Sequence, residues 1–245
     1  MSASLNGRSA LVTGSTDGIG SAIARALAAG GADVVVSGRN AERGERVVTD
    51  IGDKGGRARF VRADLSGGAG VRALAEAAGP VDVLVNNAAM LIAPRPTGEV
   101  SEELIDDALA TNVKAAFLLT GLIAPGMAAR GGGAIVNVGS INGILGMAQS
   151  ALYSATKATI HSLTKSWAAE YGPSGVRVNT VAPGPTLTPT TAGFAEHLAP
   201  ILDRTPSRRI GRPEEVAAAV VFLAGDDAAN IHGATLSVDG GLTAV

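Results

Sequence analysis

The chain has 245 residues, with 20 Lys and Arg against 22 Asp and Glu, so its formal net charge is −2. It contains no cysteine, which excludes disulfides, thiolate nucleophiles and Cys-ligated metal sites. The near-neutral charge and the 3% content of aromatic residues argue against a nucleic-acid partner. The three histidines lie far apart in the sequence, so no metal site is expected.

Neither a membrane span nor an export signal is expected from the apolar pattern. No apolar run reaches the roughly 18 residues that a transmembrane helix needs. The first seven residues are polar and lack the apolar stretch of a signal peptide. We therefore expect a cytoplasmic protein with no membrane partner.

Short runs rich in Val, Ile and Leu alternate with longer Ala-rich stretches along the whole chain. The apolar runs predict seven strands, at residues 9–13, 33–37, 58–63, 81–86, 134–140, 176–181 and 234–239. The stretches between them predict helices at residues 21–29, 40–50, 70–78, 101–129, 152–171 and 213–224. Such alternation is typical of right-handed βαβ units. It predicts one α/β domain over residues 1–245, with a doubly wound, seven-stranded parallel sheet and helices on both faces.

Residues 183–212 interrupt this alternation. They are rich in Pro, Thr and Gly, with a short helical patch near residues 194–202. Long irregular inserts in compact domains are usually functional, so we predict a substrate lid here. The alternative is a surface excursion with no role in binding.

A glycine-rich turn joins the first predicted strand to the first predicted helix. Backbone N–H groups and the positive end of the helix dipole point at an anion in this position. Glycines also let the backbone approach a pyrophosphate closely. The spacing G-x-x-x-G-x-G differs from G-x-G-x-x-G, so an ordinary strand–helix turn is the alternative. We predict a dinucleotide phosphate site formed by Gly14, Ser15, Thr16, Asp17, Gly18, Ile19 and Gly20.

The end of the second predicted strand bears on the choice of cofactor. An acid there would bind the ribose 2′-hydroxyl of NAD(H), whereas an arginine would bind the 2′-phosphate of NADP(H). The segment reads Ser37-Gly38-Arg39, and Asp33 lies at the opposite end of the strand. Arg39 therefore favours NADP(H) over NAD(H). Asp17 argues weakly against this choice, since phosphate-preferring enzymes can carry a basic residue in the turn. The alternative is that Arg39 is merely solvated at a helix start.

Ser140, Tyr153 and Lys157 form the second candidate cluster. Ser140 ends the fifth predicted strand, at the edge where open α/β sheets bind ligands. Tyr153 and Lys157 are four residues apart in a predicted helix and share one face. A nearby ammonium lowers the pKa of a phenol, which makes the phenol a better general acid or base at neutral pH. The alternative is an exposed Tyr–Lys pair without function.

Taken in order, these motifs resemble the short-chain dehydrogenase/reductase family over essentially the whole chain, and in particular its 3-oxoacyl-carrier-protein reductases. Each motif alone is of moderate specificity, whereas the ordered set is very specific. The set is Gly14-x-x-x-Gly18-Ile19-Gly20, Asp64-Leu65, Asn86-Asn87-Ala88-Ala89, Asn112, Ser140, Tyr153-x-x-x-Lys157, Pro183-Gly184 with Thr188, and Val238-Asp239-Gly240-Gly241.

The resemblance implies a Rossmann fold, a nicotinamide cofactor that carries the hydride, and a homotetramer or homodimer. Tyr153 would give a proton to the substrate carbonyl during reduction and take one during oxidation. Lys157 would hold the nicotinamide ribose and tune Tyr153, while Ser140 would polarise the carbonyl. Asn112 would support a water-mediated proton relay to Lys157. Further cofactor contacts would come from Asp64, Leu65, Asn86, Ala88, Val181, Pro183, Gly184 and Thr188.

Two departures from the family pattern are visible. Ala89 replaces the usual glycine after Asn-Asn-Ala, which adds one methyl group near the cofactor. Of the basic residues that dock an acyl carrier in the reductases, Arg130 has a counterpart here, but the second position holds Ser174. A carrier-bound substrate is therefore not favoured.

The predicted substrate walls are largely apolar, which favours a neutral or mixed carbonyl compound. Packing of the lid against the body is the alternative for its apolar residues, Leu198 among them. Arg95 is the one charged residue of the set, and it would meet a substrate carboxylate if the substrate were acidic. The candidates are Ile92, Arg95, Asn142, Leu145, Met147, Gln149 and Phe194.

The sequence thus predicts an oxidoreductase that transfers a hydride between NADP(H) and a small carbonyl compound or secondary alcohol. One alternative keeps the fold but uses NAD for alcohol oxidation. The other is a dinucleotide-binding sensor or scaffold that has lost its chemistry.

Overall fold

Seven parallel strands form one sheet in the computed structural model, which describes residues 5–193 and 199–245. The strands are β1 (Ser9–Val12), β2 (Asp33–Gly38), β3 (Arg57–Arg62), β4 (Val83–Asn86), β5 (Gly133–Val138), β6 (Val176–Pro183) and β7 (Thr235–Val238). Their order across the sheet is β3-β2-β1-β4-β5-β6-β7. Each strand begins and ends within two residues of its predicted position.

Helices cover both faces of the sheet. They are α1 (Gly18–Ala29), α2 (Ala41–Asp53), α3 (Gly68–Ala78), α4 (Glu102–Leu109), α5 (Ala115–Ala129), α6 (Ala151–Tyr171), α7 (Ala199–Leu202) and α8 (Pro213–Ala224). Ile23, Val47 and Val220 pack α1, α2 and α8 on one face. Leu74 and Leu119 pack α3 and α5 on the other, together with α6. The predicted fold class, a doubly wound α/β sheet, is therefore confirmed.

The strand register stacks apolar residues in rows across the sheet. Leu11 lies between Val35 and Leu84, and all three face the layer of α3, α5 and α6. The next row faces the opposite layer, because successive side chains of a strand alternate between faces. Burial on both sides explains why the strands are almost continuously apolar.

A crevice opens where the strand order reverses. β1 lies between β2 and β4, and the chain crosses from one side of β1 to the other after β3. Open α/β sheets bind ligands at such a switch point, beyond the carboxyl ends of the strands. The glycine turn follows β1 there, and Ser140 follows β5 at the same edge.

The predicted helix over residues 101–129 is continuous but not uniform. Ser101 caps α4, since its side chain accepts a hydrogen bond from the Leu104 N–H at 3.2 Å. A π-helical turn, Ala110–Lys114, then joins α4 to α5. Such turns widen the helix by one residue and are frequent at functional sites. The buried residue within this one is Asn112.

The same stretch, Glu102–Ala129, is long and apolar enough to cross a membrane by length and composition alone. No such stretch was expected from the sequence, where no single apolar run is long enough. One side of the helix is buried in the domain core through Leu119, Ile123 and Met127. Its other side leaves Leu109, Phe117 and Leu122 between 43% and 51% exposed.

Residues 183–212 leave and rejoin the body at one place. Thr186 and Gly211 form an isolated parallel bridge, and the Leu187 N–H donates to the Gly211 carbonyl at 2.9 Å. The predicted helical patch contains α7, whereas its residues 194–198, with Phe194 and Leu198 among them, lie outside the described residues.

Candidate active site

Hydrogen bonds fix the turn after β1 to the end of β4. The Thr13 hydroxyl accepts from the N–H groups of Asn87 and Ala88, each at 3.0 Å. The Asn87 side chain donates to the carbonyls of Thr13 at 2.8 Å and Gly14 at 3.0 Å. The turn after β1 and the end of β4 are therefore held together by hydrogen bonds within the protein.

Two glycines of the turn lie where a side chain has no room. A Cβ on Gly20 would lie 2.3 Å from the Gly14 carbonyl oxygen and 2.4 Å from Nδ2 of Asn87. A Cβ on Gly14 would lie 2.8 Å from Cα of Ala88, and the φ of Gly14 is +62°. The glycine spacing is thus required by packing between the turn, the helix and the end of β4.

Both carboxylate oxygens of Asp17 accept hydrogen bonds from other groups of the protein. One carboxylate oxygen accepts from the Gly18 N–H at 2.7 Å and caps α1. The other accepts from the Arg43 guanidinium at 2.8 Å. Arg43 therefore neutralises the acid that argued against a phosphate at this turn. Sequence analysis missed Arg43, which lies one helical turn after the end of β2.

The end of β2 offers a positive charge and no acid. Arg39 follows Gly38, the last residue of the strand, and is exposed. Hydrogen bonds from Ser66 lower the pKa of the Asp64 carboxyl, and the charge of Arg39 lowers it further. Arg39 thus lies close to the end of β3, at the edge of the crevice. Gly38 packs against Thr16, where a Cβ would lie 2.7 Å from the threonine methyl.

Ser140, Tyr153 and Lys157 come together just beyond the carboxyl end of β5. Lys157 is buried, its Nζ donates to the Val138 carbonyl at 2.8 Å, and the same Nζ lies 5.7 Å from the centre of the Tyr153 ring. Ser140 is buried, and its hydroxyl lies close enough to the Tyr153 phenol to act on the pKa of that phenol. Since an ammonium has three donors, two remain for a ligand beyond the contact with Val138.

Burial dominates the acid–base properties of this cluster. It raises the pKa of Tyr153 to about 12, and the hydrogen bond with Ser140 offsets only part of that rise. It also lowers the pKa of Lys157 to about 8. The prediction that Lys157 lowers the pKa of Tyr153 is therefore wrong for this arrangement, because the ammonium points at the Val138 carbonyl. The phenol is protonated at neutral pH.

Asn112 connects the π-helical turn to two other parts of the site. Its Oδ1 accepts from the Met90 N–H at 2.6 Å, and its Nδ2 donates to the Met90 carbonyl at 3.1 Å. Nδ2 also lies 3.3 Å from the Thr156 hydroxyl, next to Lys157 in α6. Asn112 thus ties the loop after β4 to α6, and its hydrogen bonds go to Met90 and Thr156 and not to Lys157.

The other predicted cofactor residues lie around the same crevice. A Cβ on Gly18 would meet the Thr188 methyl at 3.4 Å, so the segment after β6 reaches the glycine turn. Pro183 and Val181 belong to the end of β6, and Gly184 follows it. Leu65 packs partly against the core. The Asn86 side chain donates to Asn137 in β5 and to Thr120 in α5, so it is engaged within the domain.

The loop after Ser140 forms one wall of a small pocket. Nδ2 of Asn142 donates to the Ser150 hydroxyl at 2.9 Å, which braces the loop. Leu145 and Met147 are half-buried, and Gln149 adopts a left-handed conformation with φ +62°. Sequence analysis placed all four in the substrate wall, and Gln149 alone of them lines the pocket beside Tyr153.

The loop after β4 forms the opposite wall. Ile92 and Arg95 line the same pocket as Gln149 and Tyr153. The Arg95 N–H donates to the Gln149 carbonyl at 2.8 Å, so a backbone hydrogen bond joins the two walls. The remaining predicted wall residue, Phe194, lies outside the described residues.

Comparison with known proteins decides the family. Residues 14–243 match the family model described as enoyl-(acyl carrier protein) reductase. The chain is 45% identical to the cis-4-hydroxycyclohexanecarboxylate dehydrogenase of Sinomonas cyclohexanicum, over 97% of both chains. It is 41% identical to the 3-oxoacyl-[acyl-carrier-protein] reductase of Vibrio cholerae, over 97% of this chain and 98% of that one. The chain belongs to the short-chain dehydrogenase/reductase family.

A solved structure from the family resembles this fold closely. It is a putative NAD(P)-dependent gluconate 5-dehydrogenase from Beutenbergia cavernae, with bound NADP at low occupancy. The TM-score is 0.94, with 41% identity over 99% of both chains. The predicted family resemblance is thus confirmed, and the protein is an oxidoreductase of the type that uses NAD(P).

The two departures from the family pattern have simple structural readings. Ala89 is exposed, so its methyl group points away from the packed turn. Arg130 donates to the Val81 carbonyl at 2.6 Å and lies 3.4 Å from Asp82, so its guanidinium is engaged within the domain. Ser174 lies in the short helix after α6 and offers no charge.

His161 is a site residue that sequence analysis missed. Sequence analysis considered it only as a metal ligand, whereas its Nε2 accepts a hydrogen bond from the Ser140 N–H at 3.4 Å. Burial lowers its pKa to about 4, and the charges of Lys157 and Lys165 lower it further, so the ring is neutral and able to accept. Its position four residues after Lys157 on one helical face was the available signal.

A dinucleotide fits the residues that line the crevice. The turn has glycines at the two positions where packing leaves no room for a side chain, as in the glycine turns that bind a pyrophosphate. Lys157 keeps two donors for ribose hydroxyls. Arg39 lies at the far end with no acid in the same position. The family's cofactor is therefore compatible with the groups present.

Proposed function

We propose that this protein is an NADP(H)-dependent oxidoreductase that interconverts a small secondary alcohol and its ketone, with Tyr153 as general acid and base. The observation that carries the proposal is the buried cluster of Ser140, Tyr153 and Lys157 next to the glycine turn. The two hydroxyls adjoin each other, so both are able to reach one substrate oxygen. When bound, the nicotinamide supplies or accepts the hydride.

Tyr153 acts on the substrate oxygen. Its raised pKa keeps the phenol protonated at neutral pH, as proton donation to a ketone during reduction requires. In the oxidative direction the phenol must first lose its proton, and the Ser140 hydroxyl, which acts to lower the pKa of Tyr153, then stabilises the phenolate. Ser140 donates a hydrogen bond to the same oxygen and holds it beside the phenol.

Lys157 binds the ribose of the cofactor and positions the cofactor in the site. Two of its donors hold ribose hydroxyls while the third stays on the Val138 carbonyl. Asn112 holds the Met90 backbone and the Thr156 hydroxyl, so it keeps the loop after β4 next to α6. A water bound near Asn112 and Lys157 completes a proton relay to solvent.

Arg39 supports NADP(H) as the cofactor. Its exposed guanidinium lies where a ribose 2′-phosphate is expected, and the only nearby acid in the glycine turn, Asp17, is paired with Arg43. A bidentate guanidinium matches a phosphate well. The NADP in the gluconate 5-dehydrogenase structure supports the same choice.

The substrate is a small secondary alcohol or its ketone. Ile92, Val100 and Leu152 give the pocket beside Tyr153 an apolar lining, which suits a compact hydrocarbon frame better than a polyol. The relative from Sinomonas, by its name, acts on a secondary alcohol carried by a saturated six-membered ring. A ketone bound to an acyl carrier is not favoured, because Arg130 is engaged and Ser174 is uncharged.

Replacement of each tyrosine by phenylalanine, in separate variants, tests the mechanism. Tyr153→Phe removes the phenol and should lower kcat for ketone reduction by about 10²–10⁴-fold while NADPH still binds. Tyr171→Phe is the matched control, because the chain has two tyrosines and Tyr171 lies at the far end of α6. Normal turnover by Tyr153→Phe would overturn the mechanism. Binding of both cofactors with no turnover of any ketone by the natural sequence would revive the sensor alternative.

The choice of cofactor is tested separately. NADPH consumption should exceed NADH consumption with cyclic and linear ketones, and Arg39→Ser should raise the KM for NADPH without raising that for NADH. The expected rise is about 10–100-fold, since one charged hydrogen-bonding contact is lost. If NADH is preferred and Arg39→Ser has no effect, the NAD-dependent alternative is correct.

The protein also associates with copies of itself in this proposal, as a tetramer or a dimer. Leu109, Phe117 and Leu122 form an exposed apolar strip along α4 and α5. Apolar surface of this kind is typical of interfaces between subunits. Phe117→Glu should reduce the assembly to smaller species in analytical ultracentrifugation, whereas a monomer in the natural sequence would contradict the idea.

A further inference from the structure

We infer that the substrate carries a carboxylate group, and that Arg95 binds it across the pocket from Tyr153. This inference rests on the proposed function, because it names the substrate class of the same site. Arg95 and Tyr153 line one small pocket, so a single molecule is able to touch both. The substrate class is therefore a hydroxy acid and its oxo acid, with the reacting carbon and the carboxylate at opposite ends.

The Arg95 side chain, which lines the pocket, has a donor without a partner in the described part of the chain. Its Nε is buried, and no acceptor for it exists among the described residues. Arg95 also makes no ion pair with any described residue, whereas Arg43, Arg57, Arg130 and Arg209 each make one. A buried donor without an acceptor costs about 1–3 kcal/mol, so a ligand that supplies one is favoured. A carboxylate supplies two oxygens in the geometry that Nε and a terminal nitrogen of the guanidinium present.

The backbone around Arg95 is fixed on both sides. Pro94 and Pro96 flank it and restrict the chain to extended conformations. Its N–H is held by the Gln149 carbonyl at 2.8 Å, and Gln149 adopts the left-handed conformation, which is unfavourable for a residue with a side chain. The strained residue, Gln149, is thus the one whose carbonyl holds the Arg95 backbone in place. Such preorganisation lowers the entropy lost on binding.

The surroundings of Arg95 strengthen an ionic contact. Ile92, Val100 and Leu152 contribute apolar surface to the pocket, and the described lining contains no acid. An ion pair in apolar surroundings is stronger than one in water. The pocket therefore has a positive charge with no counter-charge, which discriminates against neutral and cationic substrates.

Binding without turnover is the first test. Cyclohexanecarboxylate and cyclohexanecarboxamide have the same shape and differ in charge, and neither has a hydroxyl or a ketone to react. Isothermal titration calorimetry on protein saturated with NADP⁺ should show at least tenfold tighter binding of the acid. Arg95→Gln should abolish that preference, and Arg46→Gln, the same change on the exposed face of α2, should leave it intact.

Kinetics with matched ketones is the second test. 4-Oxocyclohexanecarboxylate and its carboxamide place a charged or a neutral group at the same distance from the carbonyl. Arg95→Gln should raise the KM for the acid by about 10–100-fold and leave that for the amide within twofold, with kcat little changed. Arg95→Lys should recover only part of the affinity, because an ammonium lacks the paired donors of a guanidinium.

The two tests separate the inference from the function on which it rests. Equal binding of acid and amide, or equal effects of Arg95→Gln on both, overturns the role of Arg95 even if ketones are reduced. A preference for the acid that depends on Arg95 supports the inference even if the ketones tested are not turned over. Loss of turnover with every ketone then counts against the proposed chemistry alone.

Discussion

The two sides of the crevice are built differently. On the glycine-turn side, Thr13, Asn87 and Asp17 are held by hydrogen bonds of 2.7–3.0 Å to the backbone, and glycines fill the space that remains. On the substrate side, Gln149 is strained and the buried Nε of Arg95 lacks an acceptor among the described residues. The first side is braced by many contacts to the backbone, whereas the second depends on a strained residue and contains an arginine donor without a partner among the described residues.

The difference shows where binding specificity is able to vary. A change on the glycine-turn side disturbs several backbone contacts at once, so it affects folding and cofactor binding together. A change on the substrate side alters one side chain in a loop, so it affects recognition while the fold persists. Three substitutions and two pH titrations test this contrast.

The largest effect is expected from Gly20→Ala. The added Cβ would lie 2.3 Å from the Gly14 carbonyl oxygen, and a backbone atom held in the turn is unable to move away. We expect a loss of about 1–3 kcal/mol in the free energy of unfolding, with loss of cofactor affinity. Gly52→Ala is the control, because a Cβ there meets nothing within 4 Å in α2 and should stabilise the protein by about 0.5–1 kcal/mol. Chemical denaturation of both variants, with cofactor titration, measures the contrast.

Asn112→Leu should have the next largest effect. The substitution leaves the N–H and the carbonyl of Met90 without their side-chain partner, in a buried part of the site. Each unsatisfied buried group costs about 1–3 kcal/mol, so stability and kcat should both fall. Thr159→Ala on the exposed side of α6 is a control of similar size. A fully stable Asn112→Leu variant would show that the π-helical turn does not depend on this contact.

The pH dependence should follow the pKa of Lys157. Burial lowers that pKa to about 8, so the ammonium is present below pH 8 and is lost as the pH rises through it. Reductive kcat/KM should be constant near pH 6–7 and should then fall about tenfold per pH unit above 8. The charged form is also disfavoured in the folded state, so stability should rise between about pH 8 and the ordinary lysine pKa of 10.5. A flat rate profile to pH 10 would contradict this assignment.

Tyrosine ionisation gives an independent check of the same cluster. The pKa of Tyr153 is raised to about 12 by burial, and burial also raises the pKa of Tyr171. Ultraviolet absorbance should therefore show little tyrosinate before pH 10 in the folded protein. In Tyr171→Phe the remaining transition should be centred near pH 12, and a transition below 10 would mean that Lys157 does lower the phenol's pKa.

The smallest effect is expected from Gln149→Gly. Glycine adopts a φ of +62° without the cost that a side chain incurs, so stability should rise by up to about 1 kcal/mol. The backbone hydrogen bond to Arg95 is retained, so affinity for an acidic ligand should change by less than threefold. Thermal unfolding and calorimetry measure the two quantities. A large loss of affinity would show that the glutamine side chain itself contacts the ligand.

The strands, the glycine turn and the Ser140–Tyr153–Lys157 cluster were predictable because each has a local signal. Apolar runs, strand–helix turns and an i, i+4 pair are read along the chain. His161 and the Asp17–Arg43 pair were not predicted, since they depend on which side chains meet after folding. The π-helical turn at Asn112 was missed for a related reason, as its one-residue widening leaves no mark in the apolar pattern. The pKa of Tyr153 was predicted in the wrong direction because burial is a property of the whole cluster.

The bridge between Thr186 and Gly211 has a consequence for how this architecture can change over evolution. The 24 residues from Leu187 to Ile210 connect two positions of the chain that this bridge and its neighbouring hydrogen bonds hold together. The entropy of closing such a loop changes by only about 0.6 kcal/mol for each doubling of its length. Insertions, deletions and exchanges between the two ends are therefore inexpensive for the rest of the chain. A lineage is able to replace this segment while it inherits the sheet and the residues at its carboxyl edge unchanged.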